Sequence, residues 1–151
     1  MTQIPSFRLL TATFAALVAL ALPAAADTNG KIEFQNNLPN DVAVKIDHNN
    51  GKKNKSQDIA AGSAFTFTFV AGNHCPDKAR TFTVESPSGA ELASGKFRFT
   101  GDLWGAACYM KLDSVAPADF QSKNSGVVIT FDKFTKNPNT GGTFTLASPS
   151  E

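Results

Sequence analysis

Side chains that commonly carry catalysis are scarce in this chain of 151 residues. Histidine, the commonest general base, occurs as His48 and His74, and neither lies in a recognisable catalytic or zinc-binding motif. Cys75 follows His74, but a disulfide at this cysteine would remove the thiolate that a Cys–His mechanism requires. The carboxylates are scattered over predicted turns and outward strand positions, where no pair can be assigned to acid–base work. We therefore predict no catalytic residues and a protein that is not an enzyme.

A blue-copper centre is the metal site that the composition approaches most closely. Such a site needs two histidines, a thiolate and usually a weak axial ligand, and Met110 could supply the last of these. No histidine closely follows either cysteine, however, and oxidised cysteines cannot ligate the metal. Residues 47–51 resemble the start of a calcium loop, but the glycine falls one position early and the closing glutamate is missing. We predict neither a metal nor a cofactor.

Trp104 is the first candidate for a ligand-binding residue. It is the single tryptophan of the chain and lies between glycines in residues 101–105, where its ring could stack on a sugar or enter a membrane interface. Asp102 and Tyr109 are the neighbouring candidates. The alternative, which we favour, is a structural role in which the ring covers one end of the core and the disulfide.

Residues 1–26 have the features of a cleaved secretory signal peptide. Arg8 precedes an apolar run over residues 9–22, and the small residues 24–26 suit a cleavage site. The run is shorter than the roughly 20 residues that a membrane-spanning helix needs. We expect the mature protein, residues 27–151, to be exported to the periplasm or the extracellular space, without a transmembrane segment.

Charge and length set further bounds on the mature chain. It would carry 13 basic and 13 acidic residues, and this balance argues against binding of nucleic acid, for which a clustered basic surface is typical. Its 125 residues are close to the commonest domain size and include 11 phenylalanines. We predict one domain with one substantial core.

Cys75 and Cys108 are the two cysteines, and export would place them where thiols are commonly oxidised. We expect them to form a disulfide, which would stabilise the fold by roughly 3 to 4 kcal/mol in the loop-entropy model. A free nucleophile and a metal thiolate are the alternatives.

The organising element of the sequence is residues 64–70, in which Phe65, Phe67 and Phe69 alternate with two threonines. Successive side chains of a strand point to opposite faces, so the pattern predicts a strand with an apolar face and a polar face. A charge-free strand of this kind is an aggregation hazard at a sheet edge. We therefore expect it to have paired neighbours on both sides.

Similar alternation, interrupted by polar turns, recurs along the chain. It predicts further strands over residues 31–35, 42–47, 81–85, 95–100, 107–112, 127–131 and 144–146. The polar residues 48–57 and 133–142 are predicted as loops, and residues 116–126 as a connection with one helical turn. The sequence thus predicts an all-β, single-domain antiparallel β-sandwich of about eight or nine strands, whose first two strands form a pair.

Residues 36–46, followed by residues 59–69, resemble small secreted β-sandwich proteins such as the aegerolysins, which bind membrane lipids. The likeness covers less than half of the mature chain, and aegerolysins are rich in Trp and Tyr whereas this chain has one of each. The resemblance implies a sandwich and places a lipid among the candidate ligands. No site residue is carried over from it.

Three functional hypotheses follow. The leading one is an exported, non-enzymatic β-sandwich that binds a partner protein, glycan or lipid at the cell envelope or outside the cell. The second is a small secreted hydrolase, or a hydrolase inhibitor, with a site built from loops. In the third, an exposed strand edge pairs with another chain.

Overall fold

The computed structural model describes residues 29–48, 54–70, 78–104, 107–136 and 139–150. These ranges contain the strands β1 (Asn29–Asn37), β2 (Val42–Asp47), β3 (Lys55–Ile59), β4 (Ala64–Val70), β5 (Lys78–Glu85), β6 (Glu91–Trp104), β7 (Ala107–Leu112), β8 (Phe120–Ser122), β9 (Val128–Lys136) and β10 (Asn139–Ala147). A short 3₁₀ turn, Pro117–Asp119, precedes β8. No helix within these ranges is long and apolar enough to cross a membrane. The predicted all-β class is confirmed.

The strands form two sheets. The first has the order β4-β1-β10-β9, and the second has the order β3-β2-β5-β6-β7 with β8 beside β6. Every ladder is antiparallel except that between β1 and β10, which is parallel. The prediction of a wholly antiparallel fold is therefore wrong at this ladder, because apolar alternation fixes the faces of a strand but not its direction.

The core consists of the apolar faces of both sheets. Phe34 of β1 and Phe144 of β10 belong to the first sheet, and both contact Phe82 of β5 in the second. The ring centroids of Phe82 lie 5.1 Å from Phe34 and 4.6 Å from Phe144. Such close aromatic contacts between sheets show that the two apolar faces pack against each other.

The predicted pairing of the first two strands is wrong, because β1 and β2 lie in different sheets. Asn36, fully buried near the end of β1, fixes this crossing. Its side-chain Nδ2 donates to the carbonyls of Asn40 and Ile59, at 2.9 and 3.1 Å, and its Oδ1 accepts from the N–H of Leu38 at 3.1 Å. The amide thus holds the turn and ties it to β3, whereas the sequence of a polar turn is equally compatible with a hairpin.

Polar segments account for the strands that the sequence does not predict. β3 begins within the predicted loop 48–57, β8 lies within the connection 116–126, and parts of β9 and β10 lie within the predicted loop 133–142. The described residues therefore hold ten strands rather than eight or nine. β3 has no apolar alternation because it is an edge strand, paired with β2 alone. The helical turn predicted in the connection is present as the 3₁₀ turn.

β4 has the predicted bounds but not the predicted neighbours. It pairs with β1 on one side and is the edge strand of the first sheet among the described residues. The turn between β3 and β4 carries the chain from the edge of one sheet to the edge of the other, and Gly62 within it has φ of +71°, which favours glycine. Its N–H donates to the carbonyl of Asn36 at 2.8 Å. As a result, both edge strands border the same open side of the molecule.

Two predictions fall outside the described residues. Cys75 and the predicted signal peptide, residues 1–26, lie there entirely, and for Cys108 only the backbone position in β7 is described. The disulfide and the signal peptide stay predictions.

Candidate functional site

Strand pairing brings the three predicted ligand residues to the end of one ladder. Asp102 in β6 lies opposite Tyr109 in β7, and Trp104 lies opposite Ala107 in the last pair. The side chains of residues 102–109 lie outside the described part of the structure. Their role in binding a ligand therefore stays a prediction, supported by backbone proximity alone.

Of the two histidines, His48 is described and His74 is not. His48 follows β2 and is buried, with its ring centroid 5.7 Å from that of Phe69. Across the described ranges, no three His, Cys, Asp or Glu side chains come together in a group that could hold a metal ion. The described contacts of His48 thus suit a residue packed at one end of the core.

An open groove lies between β3 and β4, which are one edge strand from each sheet. It is lined by residues 54–57 and 65–68 and has a volume of about 570 Å³. Phe65 and Phe67 form its apolar wall; Phe65 is 38% exposed, whereas Phe67 is buried. Lys55 is the single charged residue among these lining residues. The groove therefore combines an apolar surface with one positive charge.

β4 directs backbone hydrogen-bonding groups toward this groove. The Lys55 Nζ donates to the carbonyl of Thr68, so that carbonyl points away from β1. In a ladder, a residue directs both its N–H and its C=O to the same side, and successive residues alternate between sides. The N–H and C=O of Thr66 therefore also point away from β1, and no described strand pairs with them. This side of β4 is an open ladder.

Lys55 also belongs to a cluster of cations and aromatic rings at one end of the groove. The Lys55 Nζ lies 4.8 Å from the ring centroid of Phe69. The guanidinium carbon of Arg80 lies 4.6 Å from the same centroid and 5.7 Å from that of Phe99. We call Lys55, Phe69, Arg80 and Phe99 the cation–aromatic cluster. The electron-rich ring faces attract both cations.

The electrostatics of this cluster disfavour additional positive charge. Burial, followed by repulsion from Arg80, lowers the pKa of Lys55 below its ordinary value. Burial also lowers the pKa of Arg80, which is 5% exposed. A negative charge brought close to Lys55 would relieve the repulsion and would gain a charge-assisted hydrogen bond.

Two smaller cavities, of about 280 and 410 Å³, lie on the outer face of the second sheet and share Lys96 and Asp119. Their cations are paired with carboxylates. The Lys96 Nζ lies 3.2 Å from Asp119, and the Arg98 Nε lies 2.5 Å from Asp113. Because these charges are already matched, the cavities give less reason than the groove to expect a charged ligand.

No protein-family model matches the chain, and no curated protein is similar enough to count as a match. The resemblance to the aegerolysins thus gains no support from these comparisons and stays an expectation.

Sequence reasoning did not find the groove, because it assigned residues 48–57 to a solvated loop and β4 to a sheet interior. One signal was present: β4 carries no charge on either face, and the nearest lysine upstream is Lys55. Edge strands are commonly protected by a lysine. Here the protecting lysine, Lys55, belongs to β3, and the residue pattern of β4 alone does not show that β3 lies near it.

Proposed function

We propose that this protein is an exported, non-enzymatic β-sandwich that binds an extended segment of a partner protein, at the cell envelope or outside the cell. The observation that supports this function is the open ladder of β4 beside an apolar groove. Proteins commonly capture extended segments by adding them as a strand to an exposed sheet edge, where main-chain hydrogen bonds give affinity and side-chain pockets give specificity.

Both parts of such a site are available here. Thr66 offers an N–H and a C=O to an incoming strand, and Thr68 offers an N–H. Phe65 is exposed on the groove side, where it can contact apolar side chains that alternate along the added segment. The proposed sandwich retains the Cys75–Cys108 disulfide. The end of the β6–β7 ladder, where Trp104 lies, is the second proposed binding surface, for a glycan or lipid.

Proline substitution in β4 tests strand addition directly. Thr66→Pro removes the outward N–H and places a ring in the path of an incoming strand, while leaving the ladder with β1 intact. Thr66→Val keeps the N–H and is the matched control. The mature protein would be used to select binders from a displayed library of random ten-residue peptides, and the enriched peptides would be measured by fluorescence anisotropy.

We expect enriched peptides with apolar residues at alternating positions. They should bind Thr66→Val like the unchanged protein and Thr66→Pro at least roughly tenfold more weakly, a loss of about 1.4 kcal/mol. Absence of enrichment, or equal binding to both variants, would overturn strand addition. Replacing His48 and His74 with alanine distinguishes this function from that of a histidine-dependent hydrolase. Peptide binding should be unchanged in the double variant, whereas a histidine-dependent activity would be lost.

A further inference from the structure

We propose that Lys55 recognises a carboxylate in the captured segment, namely an Asp or Glu side chain that faces the groove beside Thr68. This inference rests on the proposed function, because it names the chemistry of the segment that the β4 edge would bind. It assigns a specificity role to a lysine that otherwise covers the edge.

The first argument is geometric. Lys55 extends from the edge of the second sheet to the edge of the first, where its ammonium group is bonded to the Thr68 carbonyl. A strand added to β4 needs that carbonyl as an acceptor for its own N–H. The added N–H competes with Lys55 for that carbonyl, and an ammonium group that the added strand screens from solvent gains from a new acceptor. A carboxylate on the added strand supplies the new acceptor.

The second argument is charge complementarity. The described residues that line the groove include no acidic side chain, and the buried cation Arg80 repels Lys55. Lys55 is therefore the one charged side chain among the described lining residues, and no carboxylate among them pairs with it. A carboxylate placed there would pair with Lys55 and be partly shielded from solvent, so the pair would be stronger than an exposed one.

A second copy of this chain fits the groove less well. Pairing of β4 with β4 of another copy would bring two Lys55 side chains to the same edge, and β4 itself contains no acidic residue. Like charges on neighbouring strands disfavour pairing. A partner segment with a carboxylate therefore suits the edge better than self-association.

The test uses four blocked heptapeptides in which valine alternates with threonine, so that the valines share the groove-facing side. One peptide has glutamate in place of the first valine, and a second has glutamate in place of the last valine. The other two peptides have glutamine at the same two positions. Binding is measured by fluorescence anisotropy with the unchanged protein, with Lys55→Gln and with Lys45→Gln. Lys45 is an exposed lysine outside the groove that pairs with Glu85, so it controls for the general loss of positive charge.

We expect one of the glutamate peptides to bind roughly tenfold more tightly than its glutamine counterpart, as is usual for a partly buried charged hydrogen bond. The position of that glutamate also reports the direction of the added strand. Lys55→Gln should abolish the preference while still binding the glutamine peptides, and Lys45→Gln should retain it. Raising the salt concentration should reduce the preference only partly, because the pair is half-buried.

The outcomes separate this inference from the proposed function. If all four peptides bind equally and Thr66→Pro abolishes their binding, strand addition stands and the role of Lys55 is wrong. If the unchanged protein binds none of them, the proposed function itself fails. The bound glutamate peptide can be displaced with inorganic phosphate or with an equal concentration of unlabelled glutamate peptide. If phosphate is as effective as the peptide, Lys55 is a general anion site, and recognition of a peptide carboxylate is refuted.

Discussion

β4 and β5 have nearly the same residue pattern but different positions in the fold. In both strands apolar side chains alternate with threonine, and Phe67 and Phe69 of β4, like Phe82 and Val84 of β5, are buried in the core. β5 lies between β2 and β6, whereas β4 has β1 on one side and the open groove on the other. Alternation therefore decides which face of a strand is buried, while the path of the chain decides whether the strand has one neighbour or two.

The two strands also differ in how their surroundings are charged. The sheet around β5 carries ion pairs on its outer face, including Lys45–Glu85 and Lys96–Asp119. β4 has no charge of its own, and its edge is covered by Lys55 from another strand. The Lys55 side chain that covers the edge of β4 can be displaced by a ligand, whereas the strands paired with both sides of β5 cannot.

Truncation of one phenylalanine in each strand should give the largest difference. Phe82→Ala in β5 should lower the free energy of unfolding by about 3 to 5 kcal/mol, because this ring is 1% exposed and packs between the sheets. Phe65→Ala in β4 should cost roughly 1 kcal/mol, since its ring is 38% exposed. Urea unfolding of the two variants measures both values. Similar losses would contradict the groove-facing position of Phe65.

Proline in place of threonine should separate the strands by a somewhat smaller amount. Thr83 of β5 is paired with Lys45 in β2 and with Ser94 in β6. Whichever neighbour its N–H bonds, Thr83→Pro removes a ladder hydrogen bond and crowds that neighbour, at a cost of about 3 kcal/mol. Thr66→Pro should cost less than about 1 kcal/mol, because its N–H faces the groove.

The corresponding valine variants, Thr83→Val and Thr66→Val, control for loss of the hydroxyl groups. Thermal unfolding of all four proteins gives the comparison. A large loss of stability in Thr66→Pro would show that Thr66 bonds β1 rather than the groove, and would remove the open ladder on which strand addition depends.

The elements with strong apolar alternation were predicted well. The bounds of β2, β4 and β7 agree with the sequence prediction, and the alternating apolar residues Val42, Val44 and Ile46 of β2 are buried. Alternation succeeds there because burial of one face is a local property of the strand. It fails for β3 because the backbone of a polar edge strand pairs without requiring an apolar face.

Topology and the candidate site could not be derived in the same way. The crossing from β1 to β2 depends on hydrogen bonds from one buried amide, Asn36, to carbonyls up to 23 positions away. The groove depends on Lys55 and Thr68 meeting across two sheets. Both are contacts between segments that sequence spacing does not relate. Asp102, Trp104 and Tyr109 lie in one ladder, but their role in binding a ligand stays a prediction.

The smallest expected effect concerns the charged face around β5, which β4 lacks. The N–H of Ala116 donates to Asp119 at 2.9 Å, and this bond, followed by that from Lys96, lowers the pKa of the Asp119 carboxyl below its ordinary value of 3.8. A lowered folded-state pKa stabilises the protein above the unfolded-state value, and that stabilisation disappears as the pH falls through the folded-state pKa. Asp119→Asn keeps an acceptor for Ala116 but cannot ionise.

Urea midpoints of the unchanged protein and of Asp119→Asn should therefore differ at pH 6 and converge as the pH is lowered below 3.8. Lys96→Met should retain most of this pH dependence, because the backbone bond from Ala116 is the larger cause of the shift. A difference that grows toward low pH would mean that Asp119 is more easily protonated in the folded protein. The Lys96–Asp119 ion pair would then not stabilise the second sheet, and the electrostatic contrast between β4 and β5 would lose this contribution.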